Sequence, residues 1–236
     1  MYDDDVIKVG NFTVTVERDD QAECPFNDWD IGPNYGLDLS NHRDYKGGEF
    51  GEAAPVDVSE FLYWYANQNA DSFTHDDSAE FVLFDKQYHW YCIFMYDHSG
   101  RTVSLAPFGD PWDSGTAGIA FIKKTDLIQG GFFGVKKSWP AIKREQAAHD
   151  LLESNVKVLD DYMQGNAYGY VIKDKDGDVV EAAWGFWGDC EYPFNEGKAA
   201  AVCLHRAERT RRLKRIKQCI KNHVPLFHRQ KIIEVF

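Results

Sequence analysis

The sequence predicts an α+β fold with a central antiparallel sheet, two long helices and a basic C-terminal helix. Three observations support this prediction. Short apolar segments in the middle of the chain are separated by turn residues, which is typical of antiparallel strands. Two further segments space their apolar residues as one face of a helix does. The last segment combines helical spacing with a high density of Lys and Arg.

The N-terminal part of the chain predicts a hairpin followed by a long irregular segment. Residues 6–18 alternate apolar and polar side chains, and Gly10-Asn11 in their middle accepts the positive φ angles of a tight turn. In residues 19–55 this periodicity disappears, while Gly, Pro, Asn and Asp accumulate. A loop of this length inside a compact domain is usually functional or mobile.

The middle of the chain predicts one helix and then four strands. Asp57 or Ser59 can cap a helix that ends near Asn69, because the apolar residues after the cap recur at helical spacing. Polar turn residues separate the segments that follow. We expect three or four of these segments to form an antiparallel meander; they are residues 81–84, 88–96, 101–106 and 117–123.

The C-terminal half begins with a helix and a second hairpin. Ser138 in a capping position and Pro140 in the first turn start a helix whose apolar spacing continues to Gly165. Residues 167–173 and 179–187 flank a polar turn and alternate as strands do. They therefore predict a hairpin.

The charge of the chain is unevenly distributed. The net charge is −12 in total, but residues 206–236 carry +8 and residues 1–205 carry −20. A final helix is expected over about residues 195–222, because Pro225 stops it. We therefore predict an acidic α+β core of residues 1–205 and a basic helical extension of residues 206–236.

This asymmetry restricts the partners that the chain can bind. An acidic body repels phosphate backbones and attracts basic protein surfaces, so a host protein is the expected partner. Direct nucleic-acid binding is possible only through the extension, where Arg211, Arg212 and Arg215 are candidate contacts. The same cations could instead dock on the acidic body, or form a solvated face above an apolar contact with the core.

Several classes of protein and site are not indicated. No run approaches the ~18 apolar residues of a membrane-spanning helix, and the acidic start differs from a signal peptide, so a cytoplasmic location without membrane contact is expected. The five cysteines lack a Cys-x-x-Cys pair, which argues against a disulfide framework and a cysteine zinc site. Gly-rich phosphate loops and linear metal-ligand motifs are absent, so no cofactor is predicted.

Candidate chemistry is concentrated in turns that combine Trp or Tyr with Asp, Gly, Ser or His. Asp97, His98 and Ser99 are the side-chain types of a nucleophilic triad, but consecutive residues in an extended chain point to opposite faces. The four turns are Asn27-Asp28-Trp29-Asp30, Tyr96-Asp97-His98-Ser99-Gly100, Asp110-Pro111-Trp112-Asp113-Ser114-Gly115 and Trp184-Gly185-Phe186-Trp187-Gly188-Asp189. Each turn also has a structural explanation, because Asp and Ser accept backbone hydrogen bonds there.

Because consecutive residues cannot form the site, the remaining possibility is a site assembled from side chains of different turns. Asp97 and Ser99, on one face, would meet Asp113 or Asp189 from another turn, with His98 or His42 as acid, base or ligand. Oxygen-rich pockets of this kind suit a hard divalent cation. Nothing in the spacing of these residues requires a metal, so none is predicted.

The turns occur in an order that resembles a known family. The residues that carry the likeness are the last three turns together with Pro107-Phe108 and Tyr168-Gly169-Tyr170-Val171-Ile172, while Asn27-Asp28-Trp29-Asp30 and His42-Arg43 look like a degenerate form of two earlier segments of the family. They resemble a family of uncharacterised proteins carried by phages and other mobile elements, and the likeness covers roughly residues 88–200. The resemblance implies a phage context without an agreed activity. We take Trp29, Asp30, His42, Trp112 and Ser114 as candidate binding residues.

Two functions from different classes follow from these observations. The first is a phage or mobile-element accessory protein that binds and modulates a host factor, such as a counter-defence inhibitor acting through an acidic surface. The second is a metal-assisted hydrolase of a phosphoester or nucleotide, with Asp97, His98, Asp113 and Asp189 as catalytic residues. We favour the first, because the charge asymmetry is counted directly whereas the second depends on an unseen fold.

Overall fold

The computed structural model describes residues 6–28, 35–67, 79–130 and 134–224. Within these ranges the chain forms nine strands and six helices. In chain order they are β1 (Val6–Val9), β2 (Phe12–Arg18), α1 (Pro25–Asp28), β3 (Tyr35–Asp38), β4 (Phe50–Gly51), α2 (Val58–Asn67), α3 (Ala79–Gln87), β5 (Tyr88–Asp97), β6 (Arg101–Ser104), β7 (Ser114–Lys123), α4 (Lys124–Gln129), α5 (Ala141–Gln164), β8 (Ala167–Lys173), β9 (Val179–Trp187) and α6 (Glu191–His223).

The predicted α+β class is confirmed, with two antiparallel sheets and a long C-terminal helix. The chain divides into two compact units. Unit 1 joins Met1–Asp20 to Ala167–Phe236, and unit 2 is the continuous segment Gln21–Asn166. Unit 2 is thus inserted between two neighbouring strands of unit 1, while the division that we placed after residue 205 falls inside α6.

Unit 1 is a four-stranded antiparallel sheet with α6 packed against it. The strand order is β1-β2-β8-β9, so both hairpins predicted from the sequence are present. A Cβ at Gly197 of α6 would lie 2.8 Å from Val14 and 2.9 Å from Tyr170, which shows how closely the helix approaches the sheet. Ala201, one turn later, is fully buried. Small residues on α6 therefore allow this close packing.

Unit 2 contains a five-stranded antiparallel sheet in the order β4-β3-β7-β5-β6. The predicted strands over residues 88–96, 101–106 and 117–123 are confirmed as β5, β6 and β7. The predicted meander is wrong, because β7 pairs with β5 and not with β6. Residues 105–113 return the chain to the opposite side of β5, where Ser114 pairs with Tyr96.

The helices of unit 2 cover the sheet, and one of them contains residues that we predicted as a strand. Residues 81–84, which we expected as a strand, lie in α3. Phe81 and Phe84 are both buried, and Leu83 between them is exposed, a spacing of three that fits one helix face. The helix predicted after Asp57 is confirmed as α2, and the Asp57 carboxylate accepts the N–H of Glu60 at 2.9 Å.

The longest helix of unit 2, α5, supplies much of the main apolar core. Its residues Leu152, Val156 and Leu159 are buried in a cluster that also contains Ile93 of β5. The helix ends at Gly165 as predicted, with a left-handed φ of 67°. Its start differs from the prediction, because it begins after Pro140 without a side-chain cap from Ser138. Over the described residues, no helix combines the length and apolar character needed to cross a membrane.

Candidate functional site

One end of the unit 2 sheet collects most of the residues that the sequence singled out. The backbone N–H of Asp97 donates to the carbonyl oxygen of Asp113 at 2.8 Å, which sets the end of β5 beside the start of β7. We call this end of the sheet the Trp112 edge and define it as residues 42–45, 97–101 and 110–114. All three segments belong to unit 2.

A buried carboxylate fixes the loop that brings His42 to this edge. Asp38, at the end of β3, is only 2% exposed. Its two carboxylate oxygens accept the N–H of Ser40 at 2.9 Å and the N–H of Ala54 at 2.8 Å. The side-chain amide of Asn41 donates to the carbonyl oxygen of Thr116 in β7 at 2.6 Å. The irregular segment that the sequence predicted is therefore tied to the sheet on both sides of His42.

His42 lies between two acidic residues of the edge. Its Nε2 is 3.7 Å from Asp97 Oδ2, and its Nδ1 accepts the backbone N–H of Asp44 at 3.3 Å. Because Nδ1 acts as an acceptor, the proton of the neutral ring belongs on Nε2, facing Asp97. At 3.7 Å the ring faces Asp97 within ion-pair range but beyond hydrogen-bond distance.

Arg101 contacts the same two carboxylates. Its guanidinium forms an ion pair with Asp44, and its Nε lies 3.4 Å from Asp97 Oδ2. Its Nη1 donates to the phenolic oxygen of Tyr45 at 2.9 Å. The hydrogen bond to Tyr45 is the largest cause that raises the pKa of the Arg101 guanidinium above its ordinary value. A permanent positive charge therefore lies at the centre of this acidic cluster.

A second Asp–His pair lies on the other side of the edge. His98 Nδ1 is 3.2 Å from Asp113 Oδ2, and the two side chains are 63% and 39% exposed. His98 precedes Ser99, whose φ of 55° is the one positive value among the described residues other than glycine. The tight turn between β5 and β6 thus directs His98 towards the loop before β7.

Trp112 is presented on a turn that hydrogen bonds hold in place. Asp110 Oδ1 accepts the N–H of Trp112 at 2.8 Å and the N–H of Asp113 at 3.1 Å. The Ser114 hydroxyl donates to the carbonyl oxygen of Asp110. These backbone bonds lower the pKa of the Asp110 carboxyl. The Trp112 side chain is 90% exposed although its backbone is fixed.

The edge has the donor atoms of a cation site, but Arg101 competes for them. The potential ligand atoms of His42, Asp44 and Asp97 lie within 4.8 Å of one another. A divalent ion could bind this mixed nitrogen and oxygen set. Because the guanidinium of Arg101 already contacts both carboxylates, such an ion would have to displace it.

The structure brings six of the predicted site residues to the Trp112 edge and leaves others elsewhere. Those at the edge are His42, Asp97, His98, Trp112, Asp113 and Ser114. Trp29 and Asp30 lie outside the described residues. Asp189 lies in unit 1, where its carboxylate accepts the N–H of Glu191 at 3.0 Å and the N–H of Tyr192 at 3.4 Å, as a helix-capping residue does.

Sequence reasoning assigned no site role to four residues of the edge, although one of them lies in a turn that it singled out. They are Asp44, Tyr45, Arg101 and Asp110. A signal was available for each, because they adjoin the same turns: two follow His42-Arg43, one follows Gly100 and one begins the Trp112 turn. Only the long-range pairing of the turns shows that they act together.

The units differ in charge. Unit 2 contains 11 Lys and Arg against 23 Asp and Glu, a net charge of −12, whereas unit 1 contains 15 of each. The negative charge of the chain therefore resides in the unit that carries the Trp112 edge. The three arginines predicted as nucleic-acid contacts, Arg211, Arg212 and Arg215, are exposed on α6 of unit 1.

Comparison with protein-family models, curated proteins and solved structures gives no match to this chain. The resemblance to phage and mobile-element proteins therefore stays a prediction.

Proposed function

We propose that this chain is a binding protein whose Trp112 edge engages a positively charged surface of a host protein. In this proposal it is an accessory protein of a phage or mobile element that acts in the host cytoplasm. Binding modulates the host factor, as a counter-defence inhibitor does when it covers a basic functional groove. The observation that carries the proposal is the 90% exposure of Trp112 on a hydrogen-bonded turn of the acidic unit.

An exposed tryptophan is costly to keep in water and valuable in an interface. Burying an aromatic side chain removes about 150–250 Å² from solvent. At about 25 cal/mol per Å² this contributes several kcal/mol to association before the ordering costs are subtracted. Tryptophan is accordingly enriched among the few residues that dominate binding energies. Trp112 has the exposure expected of such an anchor.

Because hydrogen bonds already hold the turn in place, the loop loses less conformational entropy when a partner binds. The carboxylate of Asp110 accepts the N–H of Trp112, and the hydroxyl of Ser114 donates to the carbonyl oxygen of Asp110, so that side-chain hydrogen bonds close the turn around Trp112. A partner then orders the indole ring and not the loop that carries it. Such preorganisation improves affinity without adding a contact.

The charge of unit 2 favours a basic partner. A net charge of −12 over residues 21–166 attracts cationic surfaces over long distances and accelerates encounter. Carboxylates of the edge, including Asp44, Asp97 and Asp113, are each 38–40% exposed and can contact such a surface. We therefore expect the complex to weaken as salt screens these interactions.

The test is co-purification from host lysate with a matched pair of variants. The full chain carries an affinity tag and is compared with Trp112→Ala and with Tyr63→Ala, which removes another exposed aromatic side chain of unit 2. We expect the wild type and Tyr63→Ala to retain the same host protein at low salt, and Trp112→Ala to lose it. Binding of the purified partner should then fall as salt rises from 50 mM to 500 mM. Equal retention by Trp112→Ala, or no specific partner at low salt, contradicts the proposal.

A second candidate function is metal-assisted hydrolysis of a phosphoester or nucleotide. The observation that favours it is the set of His42, Asp44 and Asp97 ligand atoms within 4.8 Å. In that function a divalent ion would supply Lewis acidity and His98 would exchange a proton. Arg101 opposes it, because it already neutralises two of the three ligands.

Metal titration separates the two functions. The hydrolase predicts that Mn²⁺ binds the wild-type chain with a micromolar dissociation constant and that Asp97→Asn abolishes both this binding and the cleavage of a phosphodiester substrate. The binding protein predicts no metal-dependent cleavage, and capture of its partner in the presence of EDTA. Calorimetry and a chromogenic phosphodiester assay measure these outcomes.

A further inference from the structure

The first part of α6 is joined to the sheet of unit 1 as far as the turn at the end of the β1–β2 hairpin. There His205 lies against Gly10, and Glu208 accepts a hydrogen bond from the side-chain amide of Asn11. Residues 209–223 continue as helix beyond this point. At about 1.5 Å per residue they extend for roughly 22 Å. We call residues 209–223 the α6 arm.

The α6 arm is cationic throughout. It contains seven Lys and Arg and neither Asp nor Glu. The side chains from Arg209 to Lys217 make no ion pair with any described carboxylate of unit 1. Like charges recur at helical neighbour positions, as in Arg211 with Arg215 and Lys214 with Lys217, and such pairs destabilise a free helix. An anionic partner would remove this repulsion.

The cations lie on both sides of a narrow apolar stripe. Leu213, Ile216 and Ile220 form the stripe and are half-buried, whereas the residues around them are exposed. At about 100° per residue, Lys214 and Lys217 fall on one flank of this stripe and Arg212, Arg215 on the other. A ligand with anions in two parallel rows matches this distribution.

We propose that the α6 arm binds duplex DNA by lying in its major groove. A helix with its side chains is about 10–12 Å across, and the major groove of B-form DNA is about 12 Å wide with phosphates along both borders. Continuous basic helices bind DNA in this way. The contacts are made to the backbone, because the two amide side chains of the arm, Gln218 and Asn222, hydrogen-bond to each other, and because its lysines and arginines flank the stripe on both sides.

Other anionic surfaces fit the arm less well. The major groove of duplex RNA is deep and narrow and does not admit a helix. Helices that lie on membranes carry Trp, Phe and Leu on a broad apolar face, whereas the arm has no aromatic residue and three aliphatic ones. DNA binding by unit 1 is separate from the function proposed for the Trp112 edge in unit 2.

The test is fluorescence anisotropy of a labelled 20-base-pair DNA titrated with the full chain at several salt concentrations. One variant combines Arg212→Ala, Arg215→Ala and Lys217→Ala. Its matched control combines Lys123→Ala, Lys136→Ala and Lys143→Ala in unit 2, which removes the same charge. Circular dichroism of both variants measures whether the helical content is retained.

We expect wild type and control to bind the DNA alike, with affinity falling at least ~100-fold between 50 and 200 mM salt, since each phosphate contact contributes about −0.9 to the logarithmic slope. The arm variant should bind at least ~100-fold more weakly at 50 mM salt and with a shallower slope. Equal binding by the arm variant, or no binding by wild type at 50 mM salt, overturns the proposal. Binding to vesicles of anionic lipid in place of DNA overturns it in favour of a membrane surface.

Discussion

Arg101 uses Tyr45 in two ways: its Nη1 donates to the phenolic oxygen at 2.9 Å, and its guanidinium carbon lies 5.3 Å from the centre of the same ring. The pair joins the loop after β3 to the first residue of β6. It also places a fixed positive charge among Asp44 and Asp97, which would otherwise repel each other. The geometry of the Trp112 edge therefore depends on one cation.

A double-mutant cycle measures this relationship. Tyr45→Phe removes the acceptor hydroxyl and keeps the ring, and Arg101→Met removes the charge and keeps much of the side-chain volume. We expect the two changes to be non-additive in urea unfolding, with a coupling free energy of about 0.5–1.5 kcal/mol. A control cycle of Tyr45→Phe with Arg144→Met, on α5, should be additive within about 0.3–0.5 kcal/mol. Additivity in the first cycle contradicts the contact.

The buried carboxylate of Asp38, which fixes the loop that carries His42, should contribute more to the free energy of unfolding than an exposed capping carboxylate does. Asp38→Ala leaves the N–H groups of Ser40 and Ala54 without their acceptor in a buried position. Charged hydrogen bonds of this kind contribute about 1.5–3 kcal/mol each, so we expect the loss of two to lower the free energy of unfolding by roughly 3–6 kcal/mol. Asp57→Ala, which removes the exposed cap of α2, should cost only about 1 kcal/mol. Chemical denaturation of both variants provides the comparison, and equal losses contradict this account.

Several residues of the Trp112 edge could be predicted from the sequence, but the contacts between them could not. Asp97, His98, Trp112 and Asp113 were identified because turn residues with chemical groups are visible in a linear sequence. Arg101 was not, because two of its three partners, Tyr45 and Asp44, lie more than fifty positions away in the chain. Contacts of this kind depend on strand pairing, which local periodicity does not encode.

Local signals also explain which elements of the fold could be predicted. The hairpins and the end of α5 have their own turn or terminator residues, such as Gly10 and Gly165, and were located correctly. The nine residues of α3 contain one run of four apolar residues, Phe81 to Phe84, which is too short for periodicity to distinguish helix from strand. The insertion of unit 2 was not predicted either, because β2 and β8 pair from opposite ends of the chain.

The Trp112 turn should depend on pH through Asp110. The backbone N–H groups of Trp112 and Asp113 lower the pKa of this carboxyl. A lowered pKa in the folded state means that the ionised form stabilises the turn. This contribution is fully present above the ordinary pKa of about 3.9 and is lost as the pH falls through the lower folded value.

Nuclear magnetic resonance can follow the two amide signals from pH 6 to pH 2. We expect both to titrate with a common midpoint below about 3.9, the ordinary value for aspartate. Asp110→Asn should abolish this transition and weaken partner binding. The matched change Glu52→Gln, also in unit 2, should leave the two signals unaltered. A midpoint at or above the ordinary value disproves the role of the turn in holding Asp110 ionised.

Two glycines of β7 differ in the space around them, and the difference tests how β3 and its following loop pack against β7. A Cβ at Gly118 would lie 1.8 Å from the carbonyl oxygen of Asp38 and 2.7 Å from Leu39 Cα, whereas a Cβ at Gly115 has nothing within 4 Å. Gly118→Ala must therefore push β3 away from β7 and disturb the loop that holds His42. The clash involves backbone atoms, which cannot rotate aside as a flexible side chain does.

We expect Gly118→Ala to lower the free energy of unfolding by about 2–4 kcal/mol or to prevent folding of unit 2, in the range of overpacked cores. Gly115→Ala should change it by no more than about 0.5 kcal/mol, because the added methyl group faces open space. Thermal unfolding of the two variants under identical conditions measures the difference. If Gly118→Ala unfolds at the same temperature as Gly115→Ala, the close approach of β3 to β7 is wrong. The path that places His42 beside Asp97 would then be wrong with it, because that path begins at Asp38.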